Sequence, residues 1–380
     1  MIKTALKWLG GYFRKLDKLL LLICMAITAF DIVIVNSLYQ NGKIGADDLQ
    51  TQIFAAIIGF LAAVVIGMID YRLMAKYWFV YAPVALILQM LLFTPLGVKR
   101  DDDLAWLDLG IITIQPVEIL KIAYILTLAV HIFKLGDKIN SFPRLMLLCV
   151  HGLLPFGLVL IQGDAGSALV LLFIFICMLF AGGISWKYIL TAAVGAPAAF
   201  YVAWNYIMKD HHKARLIVLF DEEMQEAEKL DIYMQQYYAK IAMGSGQLKG
   251  LGFHSDNYTY VPEIYNDFIF SYIGMTLGFL ACMAVVIAYA LLSLKLLSNA
   301  SAAQDQLGKM ICVGVFGMMT FHWIINIGVV ISLIPVIGIT LPFLSTGGTS
   351  MIMMYVSLGP VLSIPTHKEK KRHMFYEEKE

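Results

Sequence analysis

The chain has 380 residues, of which 60% are hydrophobic and only 14% charged, with a net charge of +1 and a mean hydropathy of +0.76. Soluble domains carry about 25% charged residues, so this composition excludes an ordinary globular enzyme and points to a multi-spanning membrane protein. Near-neutral charge removes any case for nucleic acid, and the five cysteines, which lack CxxC spacing, read as small buried hydrophobes.

A basic N-terminus (Lys3, Lys7, Arg14, Lys15, Lys18) leads into a long apolar run with no small-residue cleavage site, which predicts a retained first helix. Apolar windows of helix-spanning length fall at 19–38, 53–70, 77–95, 115–133, 145–162, 166–184, 187–207, 267–293, 309–334 and 348–364. The expected fold is all-α, a polytopic membrane protein of about ten transmembrane helices forming one domain over 1–380. The tenth window is the weakest, because Gly347, Gly348 and Pro360 interrupt it. Eighteen of the 28 Lys and Arg residues fall in the segments that are cytoplasmic if the N-terminus is inside. That bias puts both termini in the cytoplasm, with 365–380 as a solvated cytoplasmic tail.

Between the seventh and eighth windows, residues 208–266 form a large extracytoplasmic loop, far longer than ordinary helix connections. Acidic residues crowd its middle and Lys240 follows, the charge order a helix dipole favours, so a helix is expected over 221–243. A glycine-rich turn, GSGQLKGLG (244–252), comes next, and then VPEIYNDFIF, which sets Asp267 at the mouth of an apolar run. Ionisable groups in such places usually serve a site.

Other polar residues gather at the same end of the bundle. Glu118 and Lys121 are spaced i, i+3 and share one helix face, either as a buried pair that fixes packing or as part of a polar chamber. Asp164 lies in a short outer turn, where it is a turn aspartate or a third carboxylate of that chamber. Pro335, Gly338, Pro342, Gly347 and Gly348 break the helix between the last two windows. Irregular backbone at that depth must be buried in protein or line a cavity. It is a re-entrant linker or a cavity wall, with Ser345, Thr346 and Thr349 as donors. Asp70 and Arg72 read as interfacial anchors, and His322 near Asn326 reads as a hydrogen bond within the bundle. No P-loop, dinucleotide fingerprint, HExxH or GxSxG motif is present, and no metal site is indicated.

Taken in order, these segments resemble the SEDS family (shape, elongation, division and sporulation), the RodA, FtsW and SpoVE type of bacterial cell-wall proteins. QPVEILK (115–121) is similar to the family's Gln-Pro-Ser-Glu-x-x-Lys segment, and VPEIYNDFIF to its Pro-Glu-x-x-Thr-Asp-Phe-Ile-Phe segment. IAMGSGQLKGLGF resembles the glycine-rich turn before the family's acid, and NIGVVISLIPVIGITLPFLSTGGTS its last long motif. The sequence departs at Met275-Thr276, where the family has two glutamates, at Gly163, Val117 and Thr346, and in the loop 208–240, which lacks the family's Pro-containing segment.

The resemblance implies a peptidoglycan glycosyltransferase of the bacterial cytoplasmic membrane. It would join lipid II into a nascent, undecaprenyl-pyrophosphate-linked glycan at the outer face, in complex with a class B penicillin-binding protein. By motif position Asp267 is the expected catalytic acid, with Glu118, Lys121 and Asp164 as substrate-side polar groups. A general base needs cationic help for a diphosphate leaving group. Lys121, Arg215, Lys240 and Lys249 are the expected sources, with a divalent cation (Mg or Mn) as an addition that the sequence does not require. A lipid II flippase and a non-catalytic scaffold for the transpeptidase are the rival expectations.

Overall fold

The computed structural model describes residues 10–100, 103–110, 113–255 and 257–367. The expected tail beyond Thr366 and the basic residues Lys3 and Lys7 lie outside the described residues, His367 apart. Asp17 caps α1 (Lys18–Gln40) by accepting from Leu20 N, and Gly42 (φ 65°) turns the chain into α2 (Ala46–Gly67). A short α3 (Tyr71–Lys76) and α4 (Trp78–Leu91) follow. Next come α5 (Pro116–Leu135), which opens on Pro116, α6 (Phe142–Ile161), α7 (Ala165–Ala181) and α8 (Trp186–Val202). After the long loop the chain ends in α12 (Ile269–Ala302), α13 (Gln306–Val330) and α14 (Gly348–Thr366).

Seven of the described helices are long and apolar enough to cross a membrane, and α4 and α7 are shorter apolar helices. The remaining window, 187–207, is α8 followed by a π-helical turn at Ala203–Ile207. α8 buries none of its residues fully and leaves most of its apolar surface exposed, with Tyr188 tied to Asn140 O near its start (3.1 Å).

Close approach of small residues draws the core together, as expected where lipid supplies no hydrophobic drive between helices. At Gly359 of α14 a Cβ would meet Ile66 Cγ2 of α2 at 2.4 Å, and at Gly67 it would meet Tyr12 Oη at 2.7 Å. The tenth span, weakest in sequence, is here one helix despite Pro360 and Pro365, with 358–364 buried throughout. A proline is tolerated where neighbouring helices enclose it and local bonding adjusts. At the opposite end from the loop, Arg72 reaches across to Asp305 (2.8 Å) and Lys295 to Asp17 (2.9 Å). Arg72 is therefore more than an interfacial anchor.

Three local features differ from the sequence reading. Residues 97–114, which lie between two apolar windows, contain an antiparallel sheet of order β1-β2-β3 (Gly97–Arg100, Asp103–Asp108, Thr113–Ile114), with Val98 opposite Trp106 and Leu107 opposite Ile114. The helix expected over 221–243 is two, α10 (Glu222–Ala227) and α11 (Met234–Gly246), preceded by α9 (Asp210–Ile217). Only α11 has a packing stripe, burying Gln236, Ala239, Ala242 and Gly246, whereas α10 buries nothing that would hold the two in one register.

The third difference is a break in α12 at Gly278 (φ 78°), which separates 269–277 from 279–302. The glycine-rich turn fills this break with backbone. Leu251 N and Gly252 N donate to Met275 O and Thr276 O (both 2.9 Å), and Phe279 N donates to Gln247 O (2.8 Å). A Cβ at Gly278 would lie 2.3 Å from Gly250 N, so two left-handed glycines press chain against chain. Gly278→Ala is expected to destabilise the protein by about 1–3 kcal/mol. Thermal unfolding in detergent checks this, and an unchanged midpoint would show that the break accepts a side chain.

Candidate functional site

Asp267 lies two residues before the first helical residue of α12, with Phe268 between, and its peptide is held by two neighbouring elements. Asn326 of α13 donates from Nδ2 to Asp267 O and to Ile339 O, each at 2.7 Å. Ser345 Oγ donates to Asn266 O (2.8 Å) and accepts from Leu341 N (2.8 Å), while Thr346 Oγ1 donates to Tyr265 O (2.6 Å). The last two residues preceding Asp267 are thus strapped to the irregular segment 331–347.

That segment also forms one side of the acid's surroundings. Gly338 (φ 65°) is exposed, and a Cβ there would sit 3.9 Å from Asp267 Oδ2. Gly166 packs against the same segment, where a Cβ would come 2.3 Å from Ile337 O. This brings in Asp164, which caps α7 through Ser167 N (2.8 Å) and accepts from Gln115 Nε2 (3.2 Å). Asp267 itself is partly exposed, yet its carboxyl has lost most of its water. Burial first, and then the nearby charges of Glu263 and Asp164, push its pKa up to about 7. Glu263 was not singled out from sequence; its positive φ of 54° and its place in the Pro-Glu turn are the signals that mark it.

Glu118 and Lys121 form a buried pair at 2.8 Å, with Lys121 only 1% exposed. Lys121 Nζ also lies 3.1 Å from His322 Nε2, and His322 Nδ1 lies 3.1 Å from Thr340 O. A carbonyl can only accept, so Nδ1 carries the proton and Nε2 receives one from the ammonium. His322 and Asn326, one turn apart on α13, therefore anchor successive carbonyls of the same strap. The bundle hydrogen bond expected of His322 is present, and it has a partner that sequence spacing did not reveal.

These contacts correct several site expectations. Lys121, expected among the countercharges, is buried in the interior and paired with Glu118 and His322. Ser345 and Thr346 were expected to offer donors to a cavity, but a hydroxyl has one proton and each is committed to a backbone carbonyl. Of the remaining cations, Arg215 on α9 donates to Val336 O (3.2 Å), Lys240 on α11 bonds Tyr233 Oη (2.5 Å), and Lys249 is exposed on the glycine-rich turn. A separate cavity of about 150 Å³, lined by Asn41, Lys43, Phe253, Tyr258, Tyr272 and Met275, lies away from Asp267. Among the described residues no three or more His, Cys, Asp or Glu side chains are grouped to hold a metal ion.

Fold and site together define a multi-pass membrane protein with a water-poor carboxyl held at one end of its helix bundle. The chain belongs to the FtsW/RodA/SpoVE family, whose model, described as a cell cycle protein, matches residues 14–370. It is 32% identical over 364 residues to the probable peptidoglycan glycosyltransferase FtsW of Trichlorobacter lovleyi, covering 92% of both chains. It is 29% identical to the peptidoglycan glycosyltransferase MrdB of Escherichia coli K12, covering 93% of this chain and 94% of that one. Among solved structures, it is similar to a chain of a peptidoglycan synthase complex that coordinates polymerization and crosslinking. That likeness has a TM-score of 0.79 at 25% identity and covers 93% and 99% of the two chains. The rod shape determining protein RodA of Thermus thermophilus matches with a TM-score of 0.69 at 25% identity, covering 94% and 98%.

Removing one member of the buried pair strands the other. Lys121→Ala is expected to cost about 3–5 kcal/mol, and replacing both members with apolar residues of similar volume should cost less than either single change. Thermal unfolding of the purified variants decides this, and a Lys121→Ala protein as stable as the parent would remove the pair from the packing of the bundle.

Proposed function

We propose that this chain, a peptidoglycan glycosyltransferase of the FtsW/RodA/SpoVE family, polymerises lipid II at the outer face of the bacterial cytoplasmic membrane with Asp267 as general base. The supporting observation is the raised pKa of Asp267 beside an exposed Gly338, since a base works best when its pKa lies near the ambient pH. In this reading the carboxylate takes the proton of the acceptor sugar's 4-hydroxyl as that oxygen attacks the anomeric carbon of the growing strand. The bond to undecaprenyl pyrophosphate breaks with inversion, and the electron pair leaves on the pyrophosphate. That leaving group needs countercharge rather than a proton.

Arg215, Lys240 and Lys249 are the groups on the loop side that supply the countercharge. Lys121 is not among them, because its charge is neutralised in the interior. A divalent cation arriving with the diphosphate would add to the same charge, but the donor groups present do not assemble a resident metal site, and no step here depends on one. Both termini lie in the cytoplasm in this reading, as the basic-residue bias favours. The partner is a class B penicillin-binding protein that cross-links the product, in keeping with the synthase complex to which the fold is similar.

Labelled lipid II incubated with the full-length chain, alone and with its transpeptidase, tests the assignment. Strand products identify the polymerase, while transfer between vesicle leaflets without strands would identify a flippase. Asp267→Asn should lower polymerisation by about 10²–10⁴-fold while leaving membrane insertion intact. Because the ionised form is the active one, the rate should rise with pH through an apparent pKa near 7 and level off above it. An acidic limb near the ordinary carboxylate value, or near-parental synthesis by Asp267→Asn, would remove Asp267 from this role.

A further inference from the structure

Asp31 is fully buried in α1, and among the described residues its side chain bonds Gln52 and no cation. Its Oδ2 accepts from Gln52 Nε2 of α2 at 2.7 Å, and its Oδ1 is buried without a hydrogen-bond partner. Gln52, 1% exposed, makes two further bonds: Nε2 donates to Ser345 O (3.1 Å), and Oε1 accepts from Gly347 N (3.1 Å). A carboxyl group placed this way in a membrane bundle is costly, and neither the fold nor the proposed chemistry otherwise accounts for it.

We infer that Asp31 and Gln52 act as positioning residues for the reaction, forming a clamp that sets Asp267 by fixing the strap 345–347. An amide side chain can present either end to the strap, and a glutamine turned the wrong way would face Ser345 O with an oxygen. Ser345 O can only accept and Gly347 N can only donate, so the bonded orientation turns the NH₂ to Ser345 O and the oxygen to Gly347 N, and Asp31 Oδ2 holds it there by accepting the second amide proton. The strap then transmits this placement one residue on. Ser345 Oγ holds Asn266 O, and Thr346 holds Tyr265 O through both its hydroxyl and its amide. Those carbonyls belong to the two residues immediately before Asp267. Side chains from five helices hold the segment 331–347, but among the described residues only Gln52 grips 345–347, the stretch that touches the peptides leading to the acid.

The inference rests on Asp267 as the base, and a displacement of about 1 Å at such a group costs roughly 10²-fold in rate. Gln52→Leu, which removes all three bonds, should therefore lower kcat for lipid II polymerisation by about 10²-fold and leave KM within about twofold. Asp31→Leu should do nearly the same, whereas Asp31→Asn, which keeps an acceptor oxygen toward Gln52, should restore most of the activity. Gln52→Glu keeps the shape but loses the donor and faces a second carboxyl group, so it should resemble Gln52→Leu.

Hydrogen exchange at Gly347, whose amide donates to Gln52, and at Thr346, whose amide donates to Tyr265 O, gives a readout in the intact protein that needs no turnover. Both amides should exchange faster in Gln52→Leu and at the parental rate in Asp31→Asn. Parental kcat in Gln52→Leu, parental exchange in that variant, or equal losses in Asp31→Asn and Asp31→Leu would each overturn the clamp. Asp267→Asn measured alongside separates the two ideas. If that variant polymerises normally, the base assignment has failed, and the exchange data still decide whether the clamp exists.

Discussion

The interaction on which the site depends is the anchoring of one irregular strand, 331–347, whose backbone cannot satisfy itself. Non-helical chain at membrane depth persists only where protein groups or water meet its carbonyls and amides. Here long polar side chains from five helices do so. Gln236 of α11 binds Ile334 O, Arg215 of α9 binds Val336 O, Asn326 and His322 of α13 bind Ile339 O and Thr340 O, Tyr289 of α12 binds Pro342 O, and Gln52 of α2 binds Ser345 O and Gly347 N. Every anchor is a group whose own burial would be unfavourable without the strand. Strand and anchors are therefore mutually required, and the peptides around Asp267 are positioned as their consequence.

The same arrangement explains why the carboxyl is poor in water yet not sealed. Its backbone is gripped by Asn326, Ser345 and Thr346, but those bonds go to carbonyl oxygens and leave the carboxyl without a neutralising cation. Negative neighbours, Glu263 and Asp164, add to the effect of burial. The sign of the stability consequence follows directly. An acid with a higher pKa folded than unfolded is tolerated best when protonated, so stability is fullest below the unfolded value near 4. It is lost as pH rises from there to about 7, after which the whole penalty is present. The fold carries this destabilisation at neutral pH, and the anchored strand and the glycine-docked break in α12 are where it is offset locally.

Much of this was legible in the sequence, for reasons that are local. Long apolar windows located the helices, and the Pro-Glu turn before an apolar run located Asp267. What failed was information that lives in long-range pairing. Ser345 and Thr346 look like free hydroxyls in a string of letters, and only the approach of 265–266, some 80 positions away, uses up their protons. The i, i+3 spacing of Glu118 and Lys121 marked their contact but left open whether it was buried, because that depends on His322 arriving from α13. The break at Gly278 was invisible for the opposite reason: an apolar run with one glycine reads as a continuous helix until another chain segment docks against it. The sheet at 97–114 is too short to show a period.

Acid and cations sit on parts of very different construction, and the physics of each task accounts for it. Asp267 is bound into the core through its neighbouring peptides, while the cations are carried at the ends of long side chains on the loop, with Lys240 and Lys249 exposed and Arg215 half-buried. Proton transfer needs a hydrogen bond within a few tenths of an ångström and fails when the partners part by 1 Å. Attraction between a cation and a diphosphate is far more forgiving. At an effective dielectric near 20 it falls only from about 4 to about 3 kcal/mol as the separation grows from 4 to 5 Å. A base therefore gains from a rigid frame, whereas countercharge works from the tips of long, mobile Lys and Arg side chains that can adjust to two bulky lipid-linked sugars. On this view the six basic residues of 208–266 serve by their collective charge. Single losses among them should be partly covered by the rest, in contrast to the all-or-none dependence on the clamped carboxyl.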